Sequence, residues 1–541
     1  MAKMGYGEDF IKWVRIFYNG VHSRVLINGE MSDLIQIGRG NRQGDSPSSH
    51  IYVMVAEVLA CRIRKNPNIK GITVAGTEKK VGLYADDTQC YVSSVGSLGH
   101  LLSEIRLYER ASGSKLNESK TEGLWLGRWR GRADKPHGFT WTSTRLKVLG
   151  VWIGDRAAGA LNYQEQYVAI RAKLRTWRSR PLSELGKIAA ANMFLYSRLW
   201  YRTAVSAPLA DRDGVGGYQE VEREVASWVF RGRQEVSAAR LRDAFDVGGA
   251  QLLDIGDRVR AQRVGWIAQL LAMPPDAFPR VLAGVLIGEH GGGYCGLGVL
   301  SADFGRFKMD RQRRGGTMAP GGFYWEAIKA WSMITPRLVG REGELGSDHV
   351  FYNPQITDEA GLSLTPLPWM ARRGLLRVGQ VRGLSGVGLY RDRWFELVAV
   401  RSRIPDLLVS GEEPHYILPG PAGDKDVRNI SFKEVYLLFR SKVDNARHFE
   451  AKWEEALGVD LGEGWKEVWK RVHGSHCSLK VRSNVWRQLN LNFWTCYMDY
   501  AYIARGDGCC LLCGVWARQR WHVVVECEVV RRLWGRCGEE V

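Results

Sequence analysis

Two adjacent carboxylates, Asp86 and Asp87, stand in the run Lys80-Val-Gly-Leu-Tyr-Ala-Asp-Asp-Thr-Gln-Cys-Tyr-Val-Ser. β-type residues flank the polar pair on both sides, which predicts a hairpin with the carboxylates at its tip. Like charges held side by side repel, and a cation shared with a phosphate relieves the repulsion. Mg²⁺ is commonly bound this way, by one or two carboxylates together with the phosphates of a substrate. Asp-Asp is also an ordinary solvated turn, so the pair alone leaves both readings open.

A second constellation lies near the end of the chain: Cys510-Leu-Leu-Cys513, then His522, then Cys527, followed by Leu533-Trp534. Three thiolates and an imidazole at these spacings fit a tetrahedral Zn²⁺ site of the Cys₃His type. The interval from Cys513 to His522 is shorter than in finger modules, and unmetallated structural cysteines remain the other reading. Cys509 is an alternative to Cys510 as a ligand, and Cys477, Cys496 and Cys537 read as buried thiols. Ten cysteines so unevenly spaced are not the framework of a secreted disulfide scaffold.

The third pattern is basic. Arg128-Trp-Arg-Gly-Arg132 and the span holding Arg171, Lys173, Arg175, Arg178 and Arg180 interleave cations with Trp129 and Trp177. Cations and rings together suit phosphates and stacked bases, although a basic run is often only the solvated face of a helix. The whole chain has 76 Lys+Arg against 58 Asp+Glu, a formal charge of +18. A polyanion is therefore the first partner to consider.

The elements that must carry these groups follow from the local patterns. Val25-Leu-Ile-Asn-Gly-Glu predicts a strand ending in an Asn-Gly turn. Residues His50–Arg64 have Ile51, Val55, Val58 and Leu59 at helical spacing after a Ser/Pro start, and Leu98–Ala111 is helical again. Lys147-Val-Leu-Gly-Val-Trp-Ile-Gly reads as a strand. From Tyr163 to about Leu271 the pattern is one of long helices. Residues 273–430 are rich in Gly and Pro and yield no element assignment. Helical patterns return from Ser431, and there is no internal repeat.

With 541 residues, of which 45% are hydrophobic and 11% aromatic, the chain is long enough for several domains with buried cores. No run reaches the roughly 18 apolar residues that a membrane span needs. Charges inside the first stretch exclude the apolar core of a signal peptide. These readings make the protein intracellular, in nucleus and cytoplasm, with no membrane partner.

The order of the boxes narrows the function. Arg42-Gln43-Gly44-Asp45-Ser-Pro comes first, then Asn66-Pro-Asn-Ile-Lys-Gly, then Tyr84-Ala-Asp86-Asp87. Ser112-Gly-Ser-Lys-Leu-Asn117-Glu-Ser-Lys120-Thr and Val148-Leu149-Gly150 follow. The series resembles the reverse transcriptase of non-LTR (LINE-type) retrotransposons, and looks closest to the Tx1-like group. The resemblance implies an α+β fold: a partial right-hand polymerase palm over residues 1–160, then a helical thumb over 161–272. A connection of unclear structure covers 273–430, and a helical C-terminal region with a CCHC zinc knuckle covers 431–541.

It also implies roles. Asp86, with Asp87 beside it, matches the carboxylate that holds Mg²⁺ for two-metal nucleotidyl transfer, and Arg42, Gln43 and Gly44 match the box along template and incoming nucleotide. Lys120 falls near the triphosphate, or is a surface lysine. Leu149 and Gly150 resemble the primer grip in a structural rather than chemical capacity. Arg171, Lys173, Arg175, Arg178 and Arg180 fall in the thumb, which tracks the duplex. The implied partners are an RNA template, a DNA primer and deoxynucleoside triphosphates. The implied knuckle ligands are Cys510, Cys513, His522 and Cys527.

The sequence departs from the family in one respect with chemical weight. The first catalytic Asp of the family lies in a box resembling Phe-Asp-Lys-Ala-Phe-Asp, upstream of the segment that here reads Met4-Gly-Tyr-Gly-Glu-Asp-Phe-Ile-Lys-Trp. Asp9 falls at a helix start and does not replace it. The expectation is an N-terminally truncated enzyme that polymerises weakly or not at all, with a nucleic-acid-binding remnant as the alternative. Ser49 and His50 also stand where the family usually has Pro and Leu.

Overall fold

In the computed structural model, residues 1–206 except 39 and 41–43, residues 218–230 and residues 236–290 are described. Beyond them the described residues are 297, 300, 302, 322–339, 342–343, 349–373, 375–384, 393–405, 408–409, 415–418, 423–441, 450–451, 453–454, 458–474, 478–490, 528 and 532. Two compact units divide at Leu149/Gly150.

The first unit, Met1–Leu149, is mixed helix and strand. Its elements begin with α1 (Glu8–Tyr18), β1 (His22–Ser23), β2 (Leu26–Ile27), β3 (Glu30–Met31), β4 (Ile35–Gln36) and α2 (Ser48–Lys65). They continue through β5 (Ile72–Val74), β6 (Thr77–Lys79), β7 (Val81–Tyr84), β8 (Asp87–Cys90) and α3 (Val95–Ser112), then β9 (Glu122–Leu124), β10 (Thr140–Thr142) and β11 (Arg145–Val148). The strands pair in twos: β1 with β4, β2 with β3, β5 with β6 and β7 with β8, all antiparallel, and β9 with β10 in parallel.

The Asn-Gly turn forms as expected: Asn28 and Gly29 both have positive φ, the requirement of a twist-matched two-residue hairpin. The helix expected over His50–Arg64 is α2 and that over Leu98–Ala111 is α3. Ser94 caps α3 by accepting from the Ser97 amide, and left-handed Gly113 ends it. The core of the unit lies where α2 and α3 meet β7, built from Leu59, Ala60, Ile63, Ile69, Val81, Leu98, Leu101, Leu102 and Phe139. The predicted α2 face is only half right, because Ile51 and Leu59 are buried while Val55 and Val58 are exposed. The apolar residues Trp13, Ile16 and Phe17 of α1 are exposed as well.

The pattern of Lys147–Gly154 predicts one strand, but the chain turns in its middle. Leu149 and Gly150 adopt φ of 48° and 79°, both left-handed, and split the run into β11 and β12 (Val151–Gly154).

The second unit, Gly150–Val541, is dominated by helices. After β12 come α4 (Arg156–Arg178), α5 (Glu184–Ala190), a π-helical turn over Ala191–Tyr196, α6 (Ser197–Val205), α7 (Tyr218–Val229), α8 (Ala238–Arg242), α9 (Ile255–Ala272) and α10 (Phe278–His290). Residues 273–430, where periodicity gives nothing, also hold helices, Phe323–Ile334 among them, and a three-stranded sheet that includes Arg337–Val339 and His415–Leu418. Helices Phe432–Ser441, Gly464–Gly474 and Leu479–Leu489 follow. The largest core gathers Ile170, Leu174, Leu195, Val225 and Trp228 with Trp453, Trp465, Trp469 and Trp486, which brings residues some 300 positions apart into one cluster. Among the described residues no helix is long and apolar enough to cross a membrane.

Candidate active site

The hairpin of β7 and β8 is held from below. Val81 is buried, Leu83 and Cys90 pack against the same core, and Gly82 and Tyr84 alternate to the other side. Burial pushes the Cys90 thiol up to about 12, so it is a packing residue rather than a nucleophile. The register pairs Val81 with Cys90 and Tyr84 with Asp87, leaving Ala85 and Asp86 as the two turn residues. The tip from Tyr84 to Thr88 is exposed, so both carboxylates stand in solvent.

Ala85 has φ 48°, a left-handed conformation that a Cβ disfavours by about 1–3 kcal/mol and that glycine would take freely. The core under the strands holds it there. Strain of this kind fixes the direction in which the next residue, Asp86, leaves the turn.

The segment between α2 and β5 is tied to both helices. Lys80 is buried, and its ammonium donates to the carbonyls of Arg64 at 3.0 Å and Asn66 at 2.9 Å, closing the C-terminus of α2. Glu104 of α3 accepts from Arg62 at 2.7 Å and Asn66 at 2.8 Å. Ser97 accepts from the Lys70 amide at 2.9 Å and donates to the Asn68 carbonyl at 3.3 Å. A Cβ on Gly71 would meet the Lys79 carbonyl oxygen at 2.3 Å, so the backbone approach there requires glycine. Asn66-Pro-Asn-Ile-Lys-Gly is thus a brace for the hairpin's foundation.

Lys120 ends a short 3₁₀ turn, Glu118–Lys120, whose cap is the Asn117 side chain accepting from the Lys120 amide. It is exposed, and among the described residues it makes no hydrogen bond or ion pair to Asp86 or Asp87. Gly44 has φ 84° and is exposed just before α2. Arg42 and Gln43 lie outside the described residues, as do Cys510, Cys513, His522 and Cys527. One neighbour was not foreseen. Tyr52 on α2 is partly exposed, and burial, then the charge of Asp86, then Tyr108 hold its hydroxyl above the usual phenol range. The only sequence signal for it was its place on the helix that underlies the hairpin.

In the second unit, Arg171, Arg175 and Arg178 recur at helical spacing along α4, all exposed, while Ile170 and Leu174 of the same helix enter the core. With Glu220, Arg223, Glu224 and Ser227 of α7 they line a groove of about 480 Å³. Arg171 is engaged there, 2.7 Å from Glu224 and over the Tyr167 ring at 5.1 Å. Among the described residues Lys173, Arg175, Arg178 and Arg180 make no ion pair. Lys173 lies over Phe194 at 5.9 Å, and Trp177 stacks on the same ring at 5.2 Å, so Trp177 is packed within the unit. Arg223 extends the basic row from a second helix, and no spacing rule on α4 could have supplied it.

Comparison with known proteins bears on the family. Residues 1–153 match the family model described as reverse transcriptase (RNA-dependent DNA polymerase). The chain is also 24% identical over 434 residues to the transposon TX1 uncharacterized 149 kDa protein of Xenopus laevis, across 76% of this chain and 31% of that protein. It therefore spans about a third of the length of this curated relative. Residues 1–153 carry a reverse transcriptase domain, and the recognition of a non-LTR retrotransposon reverse transcriptase drawn from the ordered boxes stands on both matches.

Proposed function

We propose that the chain acts as the RNA-directed DNA polymerase part of a non-LTR retrotransposon protein, adding deoxynucleotides to a DNA primer along an RNA template. The observation that carries this reading is the two-residue hairpin that presents Asp86 and Asp87 to solvent inside the segment matched to reverse transcriptases.

Two exposed carboxylates are the number with which proteins commonly hold Mg²⁺, water and substrate phosphate completing the shell. Among the described residues, no three His, Cys, Asp or Glu come together as a metal cluster. A two-metal arrangement would need a further carboxylate opposite the pair, and impaired polymerisation by this polypeptide is part of the proposal. Asp86 and Asp87 would hold the metal, which would supply charge neutralisation for the triphosphate and acidity for the primer hydroxyl.

The remaining roles fall to the chain's own groups. Arg42, Gln43 and Gly44 lie against template and incoming nucleotide, and Lys120 meets the triphosphate. The α4 row, Arg171, Lys173, Arg175 and Arg178 with Arg180 after it, follows the phosphates of the duplex. Cys510, Cys513, His522 and Cys527 hold Zn²⁺ in a knuckle.

Primer extension on an RNA template with Mg²⁺ tests the reading. The expected result is slow extension that disappears in Asp86→Asn. Extension indifferent to Asp86→Asn would remove the hairpin from the chemistry, and rapid extension would refute the impairment. The exposed arginines of α4 also fit a second reading, a binding protein without catalysis. It requires salt-sensitive nucleic-acid binding with no extension at any Mg²⁺ concentration.

A further inference from the structure

We propose that the connection between β9 and β10 is a contact site for single-stranded nucleic acid, with Trp129 as a stacking surface and Arg128, Arg130 and Lys135 as phosphate contacts. The site lies in the first unit and shares no residue with the hairpin tip or with the α4 row. It shares with the function above only the premise that the partner is a nucleic acid.

The connection is built as a rigid platform. Trp125 is buried and stacks on Trp141 at 4.2 Å between ring centres, while Trp129 lies at 6.2 Å on the outer side of Trp125. A Cβ on Gly123 would meet the Trp141 ring at 2.3 Å, so the base of the stack closes on bare backbone. The Trp141 indole donates to the Pro136 carbonyl at 3.1 Å, and the Gly131 amide donates to Ser143 Oγ at 3.3 Å. Gly127, Gly131, His137 and Gly138 all take positive φ, which folds the segment into tight turns. A surface already ordered costs little further entropy when a ligand settles on it.

The charges divide into a structural one and a free set. Arg132 lies over both Trp125 and Trp129, at 5.0 Å and 4.6 Å, and its guanidinium forks onto Asp134, with Nε 2.6 Å from Oδ1. That pair consumes the segment's one carboxylate. Arg128, Arg130 and Lys135 are exposed, and among the described residues none makes an ion pair. Arg128 lies 5.6 Å from the Trp129 ring. Cations grouped around a partly exposed indole match alternating phosphates and bases. The partner is single-stranded because the bases of a duplex are already stacked on one another and offer an indole no face.

The test is fluorescence anisotropy with the full chain and a short labelled oligonucleotide lacking secondary structure, as RNA and as DNA, beside a blunt duplex. Trp129→Ala should weaken single-strand binding by roughly 5- to 160-fold, the range of one lost stack, with the salt slope unchanged. Trp129→Phe should restore most of it. Arg128→Ala with Arg130→Ala should reduce the salt slope by roughly 1.4, at about 0.7 per single-strand phosphate contact. Whether RNA or DNA shows the larger loss identifies the strand bound.

Thermal melting of each variant separates a lost contact from a lost fold. Loop variants that melt like the wild type and bind single strands equally well would overturn the proposal, as would Trp129→Ala weakening the duplex to the same degree. If Arg175→Ala lowers binding while the loop variants do not, only this inference falls. A wild-type chain that binds no oligonucleotide overturns both this and the function proposed above.

Discussion

The second unit uses arginine in two opposite ways. Arg171, Arg175 and Arg178 stand along the outside of α4 with one carboxylate bond among them, that of Arg171 to Glu224. Arg240 and Arg263 are buried and Arg242 and Arg440 half-buried, paired with Glu222, Asp243, Asp254, Asp257, Glu326 and Glu450. These inner arginines and carboxylates are paired with one another, and the formal +18 counts them together with the outer set. Net charge speaks of solubility and partners only after the internal pairs have been set aside.

Arg263 shows what an interior guanidinium does. It is 1% exposed, donates twice to Glu326 at 3.0 and 3.1 Å, and reaches the carbonyls of Thr203 at 2.6 Å and Ser206 at 2.9 Å at the C-terminal end of α6. Burial lowers its pKa and raises that of Glu326, each opposed by the other's charge. Removing one partner strands the other, so Arg263→Ala should destabilise the unit by about 3–5 kcal/mol in urea unfolding. Replacing both by apolar groups, Arg263→Met with Glu326→Leu, should recover much of that. If Arg263→Ala costs no more than an exposed α4 substitution, the contrast between the two sets collapses.

The next effect is steric. Arg240 lies over Trp469 at 5.3 Å and donates to Asn490 at 2.8 Å, packed against bare Gly248. A Cβ at Gly248 would fall 2.4 Å from the Arg240 guanidinium and 2.5 Å from the Trp469 ring, at φ 79°. Gly248→Ala should cost about 1–3 kcal/mol through backbone strain alone, with the clash in addition. A shift in melting temperature no larger than that of a surface substitution would show that Arg240 is not held as tightly as its contacts indicate.

The inner arginines also mark where the sequence stops being legible. The hairpin was readable because β-type residues on both sides of Asp86-Asp87 leave one place for a turn, and α2 and α3 because their apolar spacing has one helical solution. The outer arginines recur at helical spacing and could be read in the same way. Arg263 could not, because α9 is buried on nearly every side, with Val259, Val264 and Ile267 around it, and a helix of that kind has no polar face to predict. Arg440 finds Asp243 across 197 positions, which no local window contains. The turn at Leu149-Gly150 was lost for another reason. Its neighbours are all β-type, and a leucine gives no warning of left-handed backbone.

Burial in the same unit also opposes a further charge. His473 stacks on Phe245 at 4.1 Å, and burial, then nearby Arg482, depress its pKa to about 4. The unfolded chain takes up this proton near pH 6.5 and the folded chain does not until about 4. The unfolded state therefore binds more protons in that window, and stability should fall as pH drops from about 6.5 to about 4. Melting temperatures across this range, compared between wild type and His473→Phe, give the check. His473→Phe should flatten the dependence, and parallel curves would show that the imidazole titrates normally.

The smallest effect on stability is expected where the effect on binding is clearest. Arg175 and Arg178 are exposed, make no ion pair among the described residues, and share their groove with Arg223. Replacing both with alanine removes no buried partner, so unfolding should change by less than about 0.5 kcal/mol. If they touch phosphates of a duplex, the same double variant should lower the salt slope of duplex binding by roughly 1.8, at about 0.9 per contact. An unchanged slope would make the row a solvated helix face, as its sequence equally permits. A large loss of stability would place these arginines with the interior set and leave the excess charge without a surface to act on. The arrangement argues against that second outcome, because Ile170 and Leu174 already anchor α4 from the opposite side.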